Sequence, residues 1–379
     1  MIPNLTFTQL RDLLQTVFHL TSAETGLSIF VDLPSPLLPD NPVWIDRRNI
    51  ALEWFKSIQQ SLALTPFQSV SLISYENVGS NNNDLPEVVT MCGPDVEART
   101  MDAGEATKLE SVLKSSSVIL AMTQLSATAP LKILAKKHGF RGATLPGFTR
   151  NMIPTLALDY EKVHDRVMVF KRRMDDALGV QVRLAVGGRP FETFYDLRFR
   201  PGHSSGGLMR EPGLVANLPS GEAYIVPYEG ERPNEPSKTS GVLPVQFEQE
   251  IVLYEIEANR ARRVLSTGKY SEQEARKIEE EPAYGNIAEL GIGVLGEWGV
   301  TAIGSTLLDE KLGLHVAFGR SEHFGGITGP SSFKDPKNVI HIDWVYVPSV
   351  QPMISVAEVT FLFDGGKRET VMRSGKLVV

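Results

Sequence analysis

The sequence predicts an α/β protein built in two parts. We expect an α/β N-terminal domain with an open, mostly parallel sheet over residues 1–180, and a β-rich α+β C-terminal domain over residues 181–379. The first part alternates apolar runs of strand length with segments of helical spacing, whereas the second is a series of β-prone segments separated by Gly and Pro. A chain of 379 residues also exceeds the usual size of a single hydrophobic core.

The N-terminal part contains three apolar runs that read as buried strands: Gly26–Leu33, 69–74 and 117–123. Between and after them, helical spacing predicts helices over 44–62, 104–113, 129–138 and 158–178. Strands that alternate with helices form parallel sheets covered on both faces. The N-terminal domain is therefore expected to be an open sheet.

The C-terminal part is dominated by β-prone segments: 180–186, 191–199, 222–228, 250–257, 314–319, 339–347 and 354–365. Helical signal is confined mainly to 271–281, where Ser271 and Glu274 fit a capping box. The polar stretch 230–241 is rich in Pro and Ser and predicts an exposed loop.

Composition narrows the function classes. The formal net charge of -7 gives no electrostatic reason to expect nucleic acid or an anionic membrane as a partner. The single cysteine, Cys92, excludes a disulfide within the chain and a cysteine-based zinc site. There is no signal-peptide pattern and no apolar run of about 18 residues, so a cytoplasmic protein is expected.

Two glycine motifs resemble catalytic signatures but lack the structural context that those signatures need. Residues 202–206 (GHSSG) fit a serine-hydrolase elbow, yet the flanking Pro and Gly residues predict a flexible loop instead. Residues 291–296 (GIGVLG) fit a dinucleotide fingerprint but lie deep in the β-rich half, away from any predicted strand-to-helix turn of a βαβ unit.

Histidines and acidic residues cluster in the C-terminal half. His315, His323 and His341 fall within 27 residues, after Glu289 and Glu310. His341 and Asp343 are two apart in a β-prone run, so they point to the same face of a strand. Carboxylates set in apolar strands are costly unless they are paired or bind a cation. Each glutamate alone could equally be salt-bridged or exposed, but the group together predicts a metal pocket.

Several segments in order resemble the aminopeptidase T family of metalloaminopeptidases: 217–222, 286–293, 309–311, 315–319 and 341–343. The resemblance implies two neighbouring metal sites, with one or two divalent ions per chain (zinc, cobalt or manganese) and Glu289 as the bridging carboxylate. It also implies a homodimer that encloses a cavity for small substrates. The metal ligands it implies are Glu222, Glu289, Glu310, His315, His341 and Asp343.

The chain departs from the family pattern at two places. The glycine motif lacks the Asn-Pro that usually follows it, and the family tyrosine seven residues after the ligand histidine is replaced by Glu322. The neighbouring His323 either takes over the role of that phenol or caps the loop 320–326. Arg150 and His203 are further candidates for contacting a substrate carboxylate or carbonyl.

Three functions fit these residues. The first is a metal-dependent hydrolase of a small peptide or amide, in which a metal-activated water attacks the carbonyl and Glu310 orients that water or accepts its proton. The second is a ring-cleaving dioxygenase similar to the 2,5-dihydroxypyridine enzymes, with one iron held by His341, Asp343 and either His315 or His323. The third is a catalytically silent protein that retains the metal pocket.

Overall fold

The computed structural model describes residues 2–379, which form two compact units. Unit 1 comprises the residues up to His164 together with Gly207–Ser220. Unit 2 comprises Asp165–Gly206 and Gly221–Val379. The domain boundary expected between residues 180 and 181 stays a prediction.

The described residues form a mixed α/β structure. The strands are, in chain order, β1 (Gly26–Leu33), β2 (Ser69–Glu76), β3 (Val88–Cys92), β4 (Gly104–Lys108), β5 (Val118–Ala121), β6 (Arg141–Thr144), β7 (Ala177–Val186), β8 (Arg189–Asp196), β9 (His203–Ser205), β10 (Val215–Asn217), β11 (Glu222–Ile225), β12 (Ser240–Phe247), β13 (Glu250–Glu257), β14 (Arg260–Val264), β15 (Ile287–Gly293), β16 (Leu314–Gly319), β17 (His341–Val345), β18 (Ile354–Phe363), β19 (Arg368–Arg373) and β20 (Lys376–Leu377). The α-helices are α1 (Phe7–Phe18), α2 (Pro42–Gln60), α3 (Leu109–Ser115), α4 (Thr128–His138), α5 (Tyr160–Asp176), α6 (Lys269–Glu280) and α7 (Thr306–Asp309).

Unit 1 is built on a seven-stranded sheet in the order β10-β6-β5-β1-β2-β3-β4. The five strands from β10 to β2 are parallel, and β3 and β4 extend the sheet in antiparallel fashion. Its core includes Phe30, Ile73, Ile119 and Leu131, which are buried where α3 and α4 pack near the central strands. The expected open, mostly parallel sheet is therefore present in this unit.

The expectation of a helix over 104–113 is wrong for residues 104–108. Gly104–Lys108 pairs with β3 as an edge strand, and α3 begins only at Leu109. The apolar spacing that suggests a helix comes from Leu109, Val112 and Leu113, which are buried. The preceding residues are polar and mostly exposed, so their hydrogen bonds to β3, rather than side-chain burial, fix them as a strand.

Unit 2 contains two sheets and little helix. An eight-stranded antiparallel sheet has the order β14-β13-β12-β8-β7-β18-β19-β20, and a five-stranded antiparallel sheet has the order β17-β16-β15-β11-β9. Phe318 of the smaller sheet packs edge-on against Tyr254 of the larger one, with ring centroids 5.1 Å apart. The β-rich character expected of the C-terminal half is thus observed.

Two local expectations in unit 2 are corrected. Ser271 lies inside α6 rather than at its start, and the first amides are capped by Glu250, whose carboxylate accepts hydrogen bonds from the N–H groups of Tyr270 and Ser271. The 202–206 segment is not entirely a loop, because His203–Ser205 forms β9 at the edge of the smaller sheet. No helix among residues 2–379 is long and apolar enough to cross a membrane.

Candidate metal centre

In the five-stranded sheet of unit 2, polar side chains lie on one face and apolar side chains on the other, because alternate residues of a strand point to opposite faces. Strand pairing places Glu289 opposite Ala317, which in turn lies opposite Asp343. Residues directly opposite in antiparallel strands share a face, so these side chains and their alternate neighbours lie together. The resulting polar face carries Glu222, Tyr224, Glu289, His315, His341 and Asp343. The other face carries Leu290, Ile292, Val316 and Phe318, which are buried.

Two groups of metal-ligating side chains share one carboxylate. Glu222, Glu289 and His315 form the first group, and Glu289, His341 and Asp343 form the second. Glu289 Oε1 lies 3.3 Å from His315 Nε2, whereas Glu289 Oε2 lies 3.3 Å from His341 Nε2. Its two oxygens therefore face the two groups separately, as a bridging carboxylate would.

The imidazoles are oriented by the backbone. His341 Nδ1 lies 2.9 Å from the carbonyl oxygen of Arg320, and His315 Nδ1 lies 3.4 Å from that of Gly313. A carbonyl oxygen only accepts, so Nδ1 is the protonated nitrogen that faces it. The Nε2 atoms then point into the cluster, which is the arrangement by which metal-ligating histidines fix their tautomer.

The glycine motif at 291–296 provides space for this cluster. A Cβ atom at Gly291 would lie 2.0 Å from His315 Nε2, and one at Gly293 would lie 2.1 Å from the backbone carbon of Lys311. Both glycines are on the polar face of β15, in line with Glu289. The motif thus admits an imidazole and a close backbone crossing, and nothing in its strand context fits a dinucleotide.

A buried lysine neutralises part of the acidic cluster. The Lys311 side chain is fully buried, and its Nζ lies 2.5 Å from Glu222 Oε1 and also donates to Glu310. Burial works against its charged form, but these two carboxylates raise its pKa above the ordinary lysine value. Lys311 therefore carries a positive charge inside the site at neutral pH.

The pKa of Glu310 is raised to about 8, chiefly because burial disfavours its charged form. Lys311 opposes this shift, while the charges of Glu222 and Asp343 add to it. Glu310 lies outside both three-residue ligand groups, although it reaches the cluster through Lys311. Glu310 is therefore a carboxyl group beside the possible ligands, at a place where it could exchange a proton with a bound molecule.

The bridging glutamate and its two histidines shift each other's ionisation. Burial disfavours the charged form of Glu289, but hydrogen bonds from His315 and His341 hold its pKa below the usual glutamate range. Burial also opposes protonation of His315, yet Glu289 and Glu222 raise its pKa to about 9. The pKa of His341 is likewise raised well above its ordinary value despite burial, because Asp343 and Glu289 face it.

Aromatic rings border the cluster on one side. Tyr224 lies opposite Gly291 and stacks on His203, with ring centroids 5.1 Å apart. Phe324 meets Tyr224 edge-on at 4.9 Å, and it also packs against His323 at 3.9 Å. His323 in turn meets His341 edge-on at 5.3 Å. We call His203, Tyr224, His323 and Phe324 the aromatic wall.

The loop that carries His323 and Phe324 is held by Glu229. The Glu229 side chain is almost fully buried and accepts hydrogen bonds from the Ser321 hydroxyl at 2.8 Å and the Ile327 amide at 2.6 Å. It also accepts from Thr328 and Asn286. Several charge-assisted hydrogen bonds to one buried carboxylate fix the loop against the sheet.

The structure brings together most of the residues selected from the sequence. Five of the six expected metal ligands form the two ligand groups of unit 2, and Glu310 contacts Lys311 beside them. His323 and His203 are in the aromatic wall. Arg150 belongs to unit 1, where it pairs with Asp46 at 2.9 Å and Glu53 at 3.3 Å.

Sequence reasoning missed Lys311 and Tyr224. Tyr224 follows Glu222 by two residues in a β-prone segment, so the period of two was an available signal for it. Lys311 gave no such signal, because a lysine beside a glutamate in a turn is ordinarily exposed.

The comparisons with known proteins concern the fold. No protein-family model and no curated protein sequence matches the chain. A 2,5-dihydroxypyridine dioxygenase from Pseudomonas putida KT2440 is similar in structure, with a TM-score of 0.62 and 16% sequence identity over 99% of this chain and 98% of that chain. AmpT from Thermus thermophilus is similar with a TM-score of 0.57 and 13% identity over 98% of this chain and 99% of that chain. This chain therefore shares its fold with both.

Proposed function

We propose that the protein is a metal-dependent hydrolase that cleaves a small peptide or amide at a pair of neighbouring divalent cations. The observation that carries the proposal is the position of Glu289, whose two oxygens each lie 3.3 Å from an imidazole nitrogen on a different strand. A carboxylate shared between two ligand groups is what a two-metal hydrolytic site requires. The fold shared with AmpT supports this reading.

The donor set fits such cations. Glu222, Glu289 and Asp343 offer carboxylate oxygens, and His315 and His341 offer imidazole nitrogens, which together suit zinc, manganese or cobalt. Glu222 Oε2 is buried and has no hydrogen-bond partner among the described residues, although His315 Nε2 lies 3.3 Å away. A metal cation would supply the direct partner that this oxygen lacks.

The protein residues would position the substrate and move protons. Divalent cations, when bound, polarise a substrate carbonyl and make water acidic. Glu310 lies beside the cluster and accepts a hydrogen bond from Lys311, so we assign it the proton that the attacking water loses and that the leaving amine gains. His323, which packs against His341, is the second candidate for contacting the reacting group.

A ring-cleaving dioxygenase is the second candidate function. The fold similarity to the 2,5-dihydroxypyridine dioxygenase has the higher TM-score of the two, and the aromatic wall offers a surface on which a planar ring can stack. In that case one iron would be held by His315, His341 and a carboxylate, as in a 2-His-1-carboxylate set. The three further carboxylates of the cluster would then not be needed to bind the iron. This favours the hydrolase.

Further predictions accompany this proposal. We expect a homodimer in the cytoplasm, with no nucleic-acid partner and no membrane partner. A short peptide or other small molecule is the expected substrate.

Metal content distinguishes the candidate functions. We expect mass spectrometry of the purified protein to find about two zinc, cobalt or manganese ions per chain, falling to one or none in Glu289→Ala. Glu257→Ala removes an exposed carboxylate of unit 2 and serves as the matched control, with metal content unchanged. One iron per chain, unaffected by Glu289→Ala, would instead support the dioxygenase. Metal without turnover of any peptide or ring substrate would indicate a silent metal-binding protein.

Cation binding is expected to release protons. Without a cation, His315 keeps its proton up to about pH 9, and a ligand histidine must be neutral. The apparent association constant for Mn²⁺ should therefore rise with pH between about 7 and 9, by up to roughly tenfold per pH unit for each proton released. Calorimetry in buffers of different ionisation enthalpy counts these protons. A release of zero protons at pH 7 would contradict the assignment of His315 as a ligand.

The raised pKa of His315 also makes the stability of the cation-free protein depend on pH, but here the stability falls as the pH rises. The folded-state pKa of His315 lies above its unfolded value, so its ion pairs stabilise the fold fully below about pH 6.5. This stabilisation is lost as the pH rises through about 9. Urea unfolding in EDTA across that range is the corresponding measurement.

A further inference from the structure

Tyr224 has a position that the metal ligands do not explain. Its side chain lies on the polar face of β11, two residues after Glu222 and directly opposite Gly291, over which the His315 imidazole extends. A tyrosine at this position adds a phenol to the face that carries the candidate ligands. Core packing alone would be served as well by phenylalanine.

The Tyr224 ring is held in place by its neighbours, whereas its hydroxyl has no hydrogen-bond partner among the described residues. His203 stacks on the ring with an interplanar angle of 24°, and Phe324 meets it edge-on. The His203 ring is itself fixed, because its Nε2 lies 2.9 Å from the Phe324 carbonyl oxygen. Among the described residues, the Tyr224 hydroxyl makes no hydrogen bond. A clamped phenol with an unused donor is preorganised for a ligand.

A phenol O–H can donate a hydrogen bond. Tyr224 is on the same face of the sheet as Glu222 and Glu289, so its hydroxyl is on the side of the candidate metal centre.

We propose that the Tyr224 hydroxyl donates a hydrogen bond to an oxygen atom of the substrate lying at the metal centre, with His203 and Phe324 fixing the direction of that bond. The inference rests on the proposed function, because it needs a substrate whose oxygen reaches the cation pair. A donor aimed at an oxygen that gains negative charge stabilises the transition state more than the ground state. Tyr224 is thus assigned a part in substrate binding and catalysis beyond the metal ligands.

The test uses a ligand that needs no turnover. Acetohydroxamate presents two oxygens to divalent metals, and its binding to the cobalt-loaded protein can be followed by visible absorbance. We expect Tyr224→Phe to keep the cobalt content of the wild type and to raise the dissociation constant of acetohydroxamate about five- to tenfold, which is what one lost hydrogen bond costs.

Tyr270→Phe is the matched control. Tyr270 also stacks on an aromatic ring, that of Phe247 at 5.6 Å, but it lies on α6 outside the polar face. Its removal is expected to leave both the cobalt content and the acetohydroxamate affinity unchanged.

The outcomes separate this inference from the proposed function. Equal acetohydroxamate affinity in the wild type and Tyr224→Phe, or no affinity in either, would overturn the role of Tyr224 and leave the metal centre intact. Loss of cobalt from Tyr224→Phe would also overturn it, because the phenol would then support the cation rather than the substrate. A wild type that takes up no cobalt would overturn the proposed function and this inference together.

Discussion

Gly291→Ala is expected to remove most of the metal affinity while leaving the fold intact. The new Cβ atom would lie 2.0 Å from His315 Nε2, so the imidazole has to swing out of the cluster. The metal would lose a direct ligand, and even a lost supporting hydrogen bond costs about 10- to 100-fold in affinity. We therefore expect a dissociation constant for Mn²⁺ at least about 100-fold higher than in the wild type.

The stability effect of Gly291→Ala should be modest by comparison. The atoms that clash are at the end of a side chain, so the core can relax at a cost of about 1–3 kcal/mol. Gly93→Ala is the control, because a Cβ atom there meets nothing within 4 Å. Metal titration by calorimetry, together with urea unfolding, measures both effects. Unchanged Mn²⁺ affinity in Gly291→Ala would show that His315 is not a ligand.

Lys311→Met is expected to make folding depend on added divalent cation. The substitution removes the fully buried positive charge that is paired with Glu222 and also contacts Glu310. Removing one partner of a buried ion pair costs about 3–5 kcal/mol. We expect the free energy of unfolding in EDTA to fall by about that amount.

Added Mn²⁺ should restore much of the lost stability, because a cation that binds only the folded state stabilises it by mass action. Urea unfolding of wild type and Lys311→Met, each in EDTA and in excess Mn²⁺, tests this. Lys171→Met breaks a partly exposed pair with Asp175 and should change stability by no more than about 1 kcal/mol. If Lys311→Met unfolds like the wild type in EDTA, Lys311 is not needed to offset the carboxylates.

Regular hydrophobic patterns made much of unit 1 predictable. The strand expected over Gly26–Leu33 has those bounds in the structure, and the helices expected around 44–62 and 129–138 are α2 and α4. These elements bury apolar side chains at the spacing of their own period, which is information held locally. The polar edge strand Gly104–Lys108 has no such pattern, because its partner β3 supplies its hydrogen bonds.

The sequence also predicted part of the candidate site. His341 and Asp343 share a face because a strand repeats every two residues, and the structure keeps them within reach of Glu289. The order of the motifs indicated Glu222, Glu289 and His315 as further candidate ligands. Neither source indicated which oxygen of Glu289 faces which imidazole, since that follows from the pairing of β15 with β16 and of β16 with β17.

The amino-acid sequence alone was enough to establish the alternating elements of unit 1, the β-rich character of unit 2 and the residue types available to a cation. These depend on short-range periodicity and composition, which every segment carries in itself. The space beneath His315 at Gly291, the burial of Lys311 between two carboxylates and the clamped Tyr224 came only from the folded chain. Each of them depends on atoms that are distant in sequence, and strand register and close packing bring those atoms together.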